Sequence, residues 1–292
     1  MYKLHDWIDE KNLKISSLCG NPHPGSIQII EKYLKNPKKI NWIQLSKNPH
    51  AIHLLSQNPK KIVWDILSQN PNAIRLIEQH IEKYENWYWL SSNPEAVPLL
   101  EKYPKKILWS VLCTNPKAIH LLEKYENRID WDYGSQNPNL VHLAEKYLDQ
   151  VHWSMLAINP NAIPLIKKHL DKVDWEYLSK NPKAITLLEA YPENICWFYL
   201  SENPNAIHLL EKNLDKINWE NLCQNPNALH ILQQNQEKIV WSVLSKNPGI
   251  FTYDYEAMYQ RNASLKEELM EVMFHPRNYH KFVSWGFDEF AP

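Results

Sequence analysis

INWENLCQNPNALHILQ, residues Ile217 to Gln233, holds two short apolar half-units separated by the dipeptide Asn225-Pro226. In the first half Asn218 precedes Trp219, and Leu222 follows three positions on. Asn or Asp in that place caps a short helix that turns Trp and Leu to one side, and Asn41, Asp130 and Asp174 stand in the same relation to Trp42, Trp131 and Trp175. In the second half the Asn caps a helix through its side-chain oxygen, while Pro takes the first helical position, where its missing N–H costs nothing. In the copy that starts at Asn203, Ala206, Ile207, Leu209 and Leu210 then form one apolar stripe, and Asn205, His208 and Glu211 share the opposite face.

The pattern recurs along nearly the whole chain. Asn-Pro occurs with Asn at 21, 48, 70, 93, 115, 137, 159, 181, 203, 225 and 247; after a first gap of 27 the step is 22, once 23. From Asn48 on, a tryptophan stands six residues before each Asn, at 42, 64, 87, 109, 131, 153, 175, 197, 219 and 241, which takes up ten of the 13 tryptophans. The unit reads approximately I-x-W-x-x-L-S-x-N-P-x-A-I-x-L-L-E-K. Two helices this short cannot bury their own apolar faces, so neighbouring units must share a core. The expected fold is all-α, an α-solenoid of about ten stacked two-helix repeats with divergent N- and C-terminal caps. Residues 1–41 read as an N-terminal cap and degenerate first repeat, with Ile15 in the tryptophan position, 42–247 as the solenoid, and 248–292 as a C-terminal helical cap. The cap is expected to hold one helix at about Ser264–Phe274 and another after Pro276. Helices packed 8–10 Å apart would make ten units on the order of 80–100 Å long, an elongated, curved particle.

Composition narrows the function classes. Lys+Arg 32 against Asp+Glu 33 gives a net charge of −1, with no global pull toward nucleic acid or an anionic membrane. Five glycines leave no room for a Gly-rich phosphate loop. No HExxH, GxSxG or Walker A motif occurs, so neither an enzyme nor a cofactor is expected. Four cysteines without a CxxC pair offer neither a disulfide framework nor a zinc-site spacing. Cys113 and Cys223 stand where other units carry Ser46, Ser68, Ser91, Ser179, Ser201 and Ser245, and Cys19 aligns with them; a small buried residue is required there. No stretch approaches the roughly 18 consecutive apolar residues of a membrane span, so a soluble, cytoplasmic chain without membrane insertion is expected.

Three segments carry a resemblance. NPNAIHLLEKNLDKINW (Asn203–Trp219), LHDWIDEKNL (Leu4–Leu13) and MFHPRNYHKFVSWGF (Met273–Phe287) resemble the tryptophan and Asn-Pro repeat proteins that giant amoeba-infecting DNA viruses encode in numerous copies. The resemblance covers essentially the whole chain. It implies a viral protein made in host cytoplasm or a viral factory, with packaging in the virion a further possibility, and it supplies no catalytic residues. Gly134 at the Leu position, and Pro98 and Pro164 in the second helices, depart from the pattern locally.

The tryptophan ladder reads as core between helix layers rather than as base-stacking platforms, because it keeps register with Leu. The variable position of the second helices gives a candidate binding stripe of His53, Arg75, His120, His142, Thr186, His208 and His230, facing solvent. Equivalent positions roughly 8–10 Å apart do not converge on a metal. His275, Arg277, His280 and Lys281 form a candidate C-terminal contact. The expected function is a non-enzymatic binding or scaffolding protein that presents an extended curved surface to a protein partner; the alternative is an RNA-binding helical-repeat protein that uses the exposed stripe.

Overall fold

The structure, a computed structural model, describes residues 1–81, 86–273 and 275. It is mostly helical, and the helices of the repeat units are very short. Each unit begins with a Trp helix of four to six residues, such as Trp42–Lys47, Trp109–Leu112 and Trp219–Leu222. The expected caps act there: the side chains of Asn41, Asp130, Asp174 and Asn218 accept backbone N–H bonds from Gln44, Asp132, Tyr177 and Asn221. His152 does the same through Nδ1, a cap that the Asn/Asp pattern does not reveal.

The second helix starts later than the Asn-Pro pair suggests. Asn-Pro-x-Ala forms a turn, tightened to a 3-10 helix at Pro71–Ala73 and Pro94–Ala96, and α-helix begins on the following residue, as in Ile52–Gln57, Ile119–Lys124 and Leu229–Gln234. A further 3-10 turn, for example Pro59–Lys61 or Gln236–Lys238, leads into the next Trp helix. Ala at the turn and Leu in both helices form the core: Leu45, Leu67, Leu112, Ala118, Leu122, Leu200 and Ala228 are fully buried.

Gly134 shows how tightly this core is fitted. It replaces the buried Leu of its Trp helix, and in the same unit Leu140 replaces the turn Ala. A Cβ at Gly134 would stand 3.3 Å from Ile129 Cγ2 and 3.4 Å from Leu140 Cδ1, so the larger turn residue fills the space the smaller helix residue leaves.

The units are tied together by asparagine. Each of the eleven Asn that recur in register is buried. Its Oδ1 accepts the N–H two residues on, at 2.9 Å from His50 and 3.0 Å from Asn161, which is the capping expected. Its Nδ2 donates both hydrogens to the unit before. Asn159, for instance, reaches Asn137 O at 2.9 Å and Ser135 O at 3.1 Å, and Asn181 reaches Asn159 O and Ala157 O at 3.0 and 2.8 Å. The same pair of bonds joins every successive Asn from Asn48 to Asn247. A second series runs through the Ser position: Ser46 Oγ donates to Trp42 O and accepts from Val63 N, and Ser91, Cys113, Ser135, Ser179 and Ser201 repeat the arrangement.

Both series return to their start. Asn21 Nδ2 donates to Asn247 O at 2.9 Å and Ser245 O at 3.0 Å, and Lys14 N donates to Ser245 Oγ at 2.9 Å. An elongated row with two open ends, expected from stacking alone, would leave these groups to solvent. Instead the helix Ile15–Leu18 takes the place of a Trp helix and Asn21 is a rung like the others, so within residues 6–250 the ladder has no free end and the first copy shields no outer face.

Compact units divide the chain into residues 6–250 and a second unit of residues 1–5 with 251–292. The second unit contains two strands that an all-α reading omits: β1, Tyr2–Leu4, pairs antiparallel with β2, Phe251–Tyr253, in the register Tyr2 to Tyr253 and Leu4 to Phe251. The helix Tyr255–Met273 follows, starting earlier than expected, with Asp254 Oδ1 accepting from Ala257 N. The second helix expected after Pro276 lies outside the described residues.

Candidate functional site

All seven residues of the expected stripe lie exposed on the second helices. The histidines there are engaged with the unit before. Nε2 of His120, His142, His208 and His230 stands 2.8–3.1 Å from Glu101, Glu123, Glu189 and Glu211, each 19 residues earlier, and His53 pairs with Glu31 at 3.1 Å. Lys102–Glu78 and Lys168–Glu145, both 3.1 Å, add cross-unit pairs beside them. Such exposed pairs contribute little each, about 0–1 kcal/mol. The glutamates at the ends of the second helices are thus halves of inter-unit pairs. Of the expected C-terminal contact, His275 is exposed, and Arg277, His280 and Lys281 lie outside the described residues.

The tryptophans are placed differently from the expectation of a buried ladder. Trp87 and Trp131 are buried, but Trp42, Trp64, Trp109, Trp153, Trp175, Trp197, Trp219 and Trp241 are only half-buried. The reason is their position at the start of a helix, where the indole lies along the rim and meets the loop 16 residues on: Tyr103 against Trp87, Tyr125 against Trp109, Tyr147 against Trp131, His169 against Trp153 and Tyr191 against Trp175, with ring centroids 5.1–5.6 Å apart. Cations lie over two of the same rings and over Trp197. Arg128 lies 4.8 Å from the Trp109 centroid, Lys172 5.3 Å from Trp153 and Lys216 4.8 Å from Trp197. Around Trp109, Tyr125 and Arg128 a groove of about 470 Å³ also takes in Lys105 and Lys124.

A third surface was not singled out by the sequence pattern. The two residues after each tryptophan vary from unit to unit, and large rings stand exposed there: Tyr88 (39%), Trp89 (38%), Tyr133 (39%) and Phe198 (51%). Tyr177 and Tyr199, two units in succession, stack at 5.7 Å, with Lys180 and Glu202 paired at 2.9 Å beside them. Burial, then Tyr177 and Glu176, push the Tyr199 hydroxyl above its ordinary value. The signal that could have marked this face is its lack of any consensus within an otherwise regular unit.

The cysteines do structural work. Cys113 Sγ donates to Trp109 O and accepts from Asp130 N, as the serines do, and burial raises its thiol to about 11. Cys19 and Cys223 are likewise buried and raised, while Cys196 is half-buried; all four are free. Among the described residues no group of three His, Cys, Asp or Glu side chains is arranged to hold a metal, and no helix is long and apolar enough to cross a membrane. Compared with known protein families, curated proteins and solved structures, the chain matches none.

Proposed function

We propose that residues 6–250 form a closed ring of eleven helical units, and that the ring is a non-enzymatic binding module holding a protein partner. The observation that carries this reading is the return of the asparagine ladder from Asn247 to Asn21. A cycle in which every rung is bonded gives a stiff frame, and a stiff frame lowers the ordering cost of binding. Exposed positions on that frame vary from unit to unit, as at the two residues after each tryptophan, the arrangement by which repeat proteins recognise partners. The alternative of RNA recognition by the second helices has less support, because the histidines of that stripe are occupied by glutamates. A giant-virus origin, implied by the sequence resemblance, places the partner in the infected cytoplasm or the virion.

The test is capture of the tagged full chain from infected cells with and without nuclease. A stoichiometric protein that survives nuclease is the expected result. RNA enriched in the eluate and lost on nuclease treatment overturns it in favour of the alternative.

A further inference from the structure

We infer that the exposed face of the Trp helices is the inner wall of the ring and that it binds a basic, Lys- and Arg-bearing polypeptide segment; this rests on the closed-ring, protein-binding reading. In a closed ring the layer whose units approach most closely is the inner one. Neighbouring Trp helices pack directly on one another, as Trp42–Lys47 does on Trp64–Leu67 and Trp153–Ala157 on Trp175–Leu178. Short reaches suffice between them: Asn221 Nδ2 donates to Phe198 O at 2.8 Å, and the Tyr177 and Tyr199 rings touch. The exposed faces of the second helices are joined instead by long His–Glu and Lys–Glu pairs, the spacing of an outer circumference.

The chemistry of the inner face selects the partner. Its exposed rings, Tyr88, Trp89, Tyr133 and Phe198, offer π faces at the two positions after the tryptophan, while Tyr177 and Tyr199 there are half-buried and stacked on one another. Those two positions carry Asp65, Asp132, Glu176 and Glu220, and in none of the ten Trp units does Lys or Arg occupy either. A first-turn carboxylate also favours its own helix dipole, which accounts for acids there but not for solvent-exposed rings beside them. Three lysines stand three positions further on, Lys47, Lys180 and Lys246, and Lys180 is neutralised by Glu202. Rings interleaved with carboxylates attract guanidinium and ammonium groups by cation–π and ionic contact together, and they repel a phosphate backbone.

The probes are fluorescent dodecapeptides of alternating Lys and Ser, or Glu and Ser, and a dodecamer of uridylate, titrated into the full chain at physiological ionic strength with anisotropy as the readout. Saturable binding of the Lys peptide alone is expected. Asp132→Asn with Glu220→Gln should weaken it by about tenfold, as should Phe198→Ser with Tyr199→Ser. Glu101→Gln with Glu211→Gln, which removes the same charge from the outer face, should change it by less than about twofold. If the aromatic pair disturbs folding, the carboxylate pair decides. Equal loss in the outer-face variant, equal binding of the Glu peptide or the uridylate, or no saturable binding overturns the inference. Should Asp132→Asn/Glu220→Gln still capture a stoichiometric protein from cells, the inner-wall assignment fails while the protein-binding reading stands.

Discussion

Asn159→Asp is the most direct probe of the ladder, because it keeps size and shape and removes only the two hydrogens of Nδ2. In the native protein those hydrogens go to Asn137 O and Ser135 O, while Oδ1 accepts from Asn161 N at 3.0 Å, and the side chain is 1% exposed. Losing two hydrogen bonds and stranding the buried Ser135 carbonyl costs about 3–5 kcal/mol. An ionised carboxylate would also set an anionic oxygen against two carbonyl oxygens, so the new acid stays neutral in the fold. Neutralising at pH 7 a group whose unfolded pKa is about 3.9 costs roughly 4 kcal/mol by itself. The two routes are alternatives, and either gives a deficit on the order of 4 kcal/mol. The sign with pH follows: a folded pKa raised above the unfolded one makes the variant weakest above it, and the deficit shrinks as pH falls toward the unfolded value. Asn161→Asp is the control. It lies two residues away, exposed; its Nδ2 donates only to Pro138 O, and its Oδ1, which accepts from Lys183 Nζ at 3.0 Å, is kept in the variant, so the change should cost at most about 1 kcal/mol. Chemical unfolding of both variants from neutral to mildly acidic pH decides the matter. A deficit in Asn159→Asp no larger than in Asn161→Asp, or one indifferent to pH, would refute the role given to the amide.

Closure makes a prediction that an open row does not: Asn21→Asp should cost as much as Asn159→Asp in the same unfolding assay, since its two bonds to Ser245 O and Asn247 O equal those of an internal rung. In the Gly134 unit, Gly134→Leu alone should destabilise by about 1–3 kcal/mol through overpacking, and adding Leu140→Ala should recover most of the loss, giving a strong coupling in a double-mutant cycle. A thiol reagent at mildly alkaline pH should modify Cys196 first, with Cys19, Cys113 and Cys223 reacting only on unfolding, because burial holds their thiols protonated. His23 Nδ1 accepts from Gly25 N at 3.1 Å, and burial, followed by His50, lowers its pKa, so the folded state resists a proton that the unfolded chain accepts near pH 6.5. Stability from this group is therefore lost as pH falls below about 6.5, and the melting temperature of His23→Asn should fall less than that of the native protein over the same range.

The two helices of each unit and their caps were legible because they depend on neighbours within a few residues. The bonds that join units depend on residues 22 and 24 apart, and helical periodicity carries no trace of them. One trace did exist. A cap tolerates Ser, Thr, Asp or Asn nearly alike, yet the in-register cap position carries Asn in all eleven units. Only an amide both accepts from its own turn and donates twice to the unit before, so uniform Asn records a demand that capping alone does not make. The Ser position is read the same way: Cys113 and Cys223 keep a weak donor and acceptor there, whereas Ala157 keeps only the size. The return of the ladder from Asn247 to Asn21 was not legible, since it depends on the small rotation accumulated from unit to unit, and no residue type encodes that angle.

The proposed ring also changes what the exposed positions are for. In an open solenoid the end units differ energetically from the middle, and binding residues gather where the superhelix is concave. In a closed one every unit has two neighbours, so stability is spread over identical rungs and no single recognition residue is needed to hold the frame. The histidine stripe fits that division, because in the five units that carry it each His–Glu pair braces adjacent second helices. Recognition belongs where the frame makes no demand. After each tryptophan the chain varies among Asp, Glu, Ser, Tyr, Phe and Ile while Asn holds its place and Leu and Ala hold theirs in most units, and it is there that large rings remain exposed to a partner.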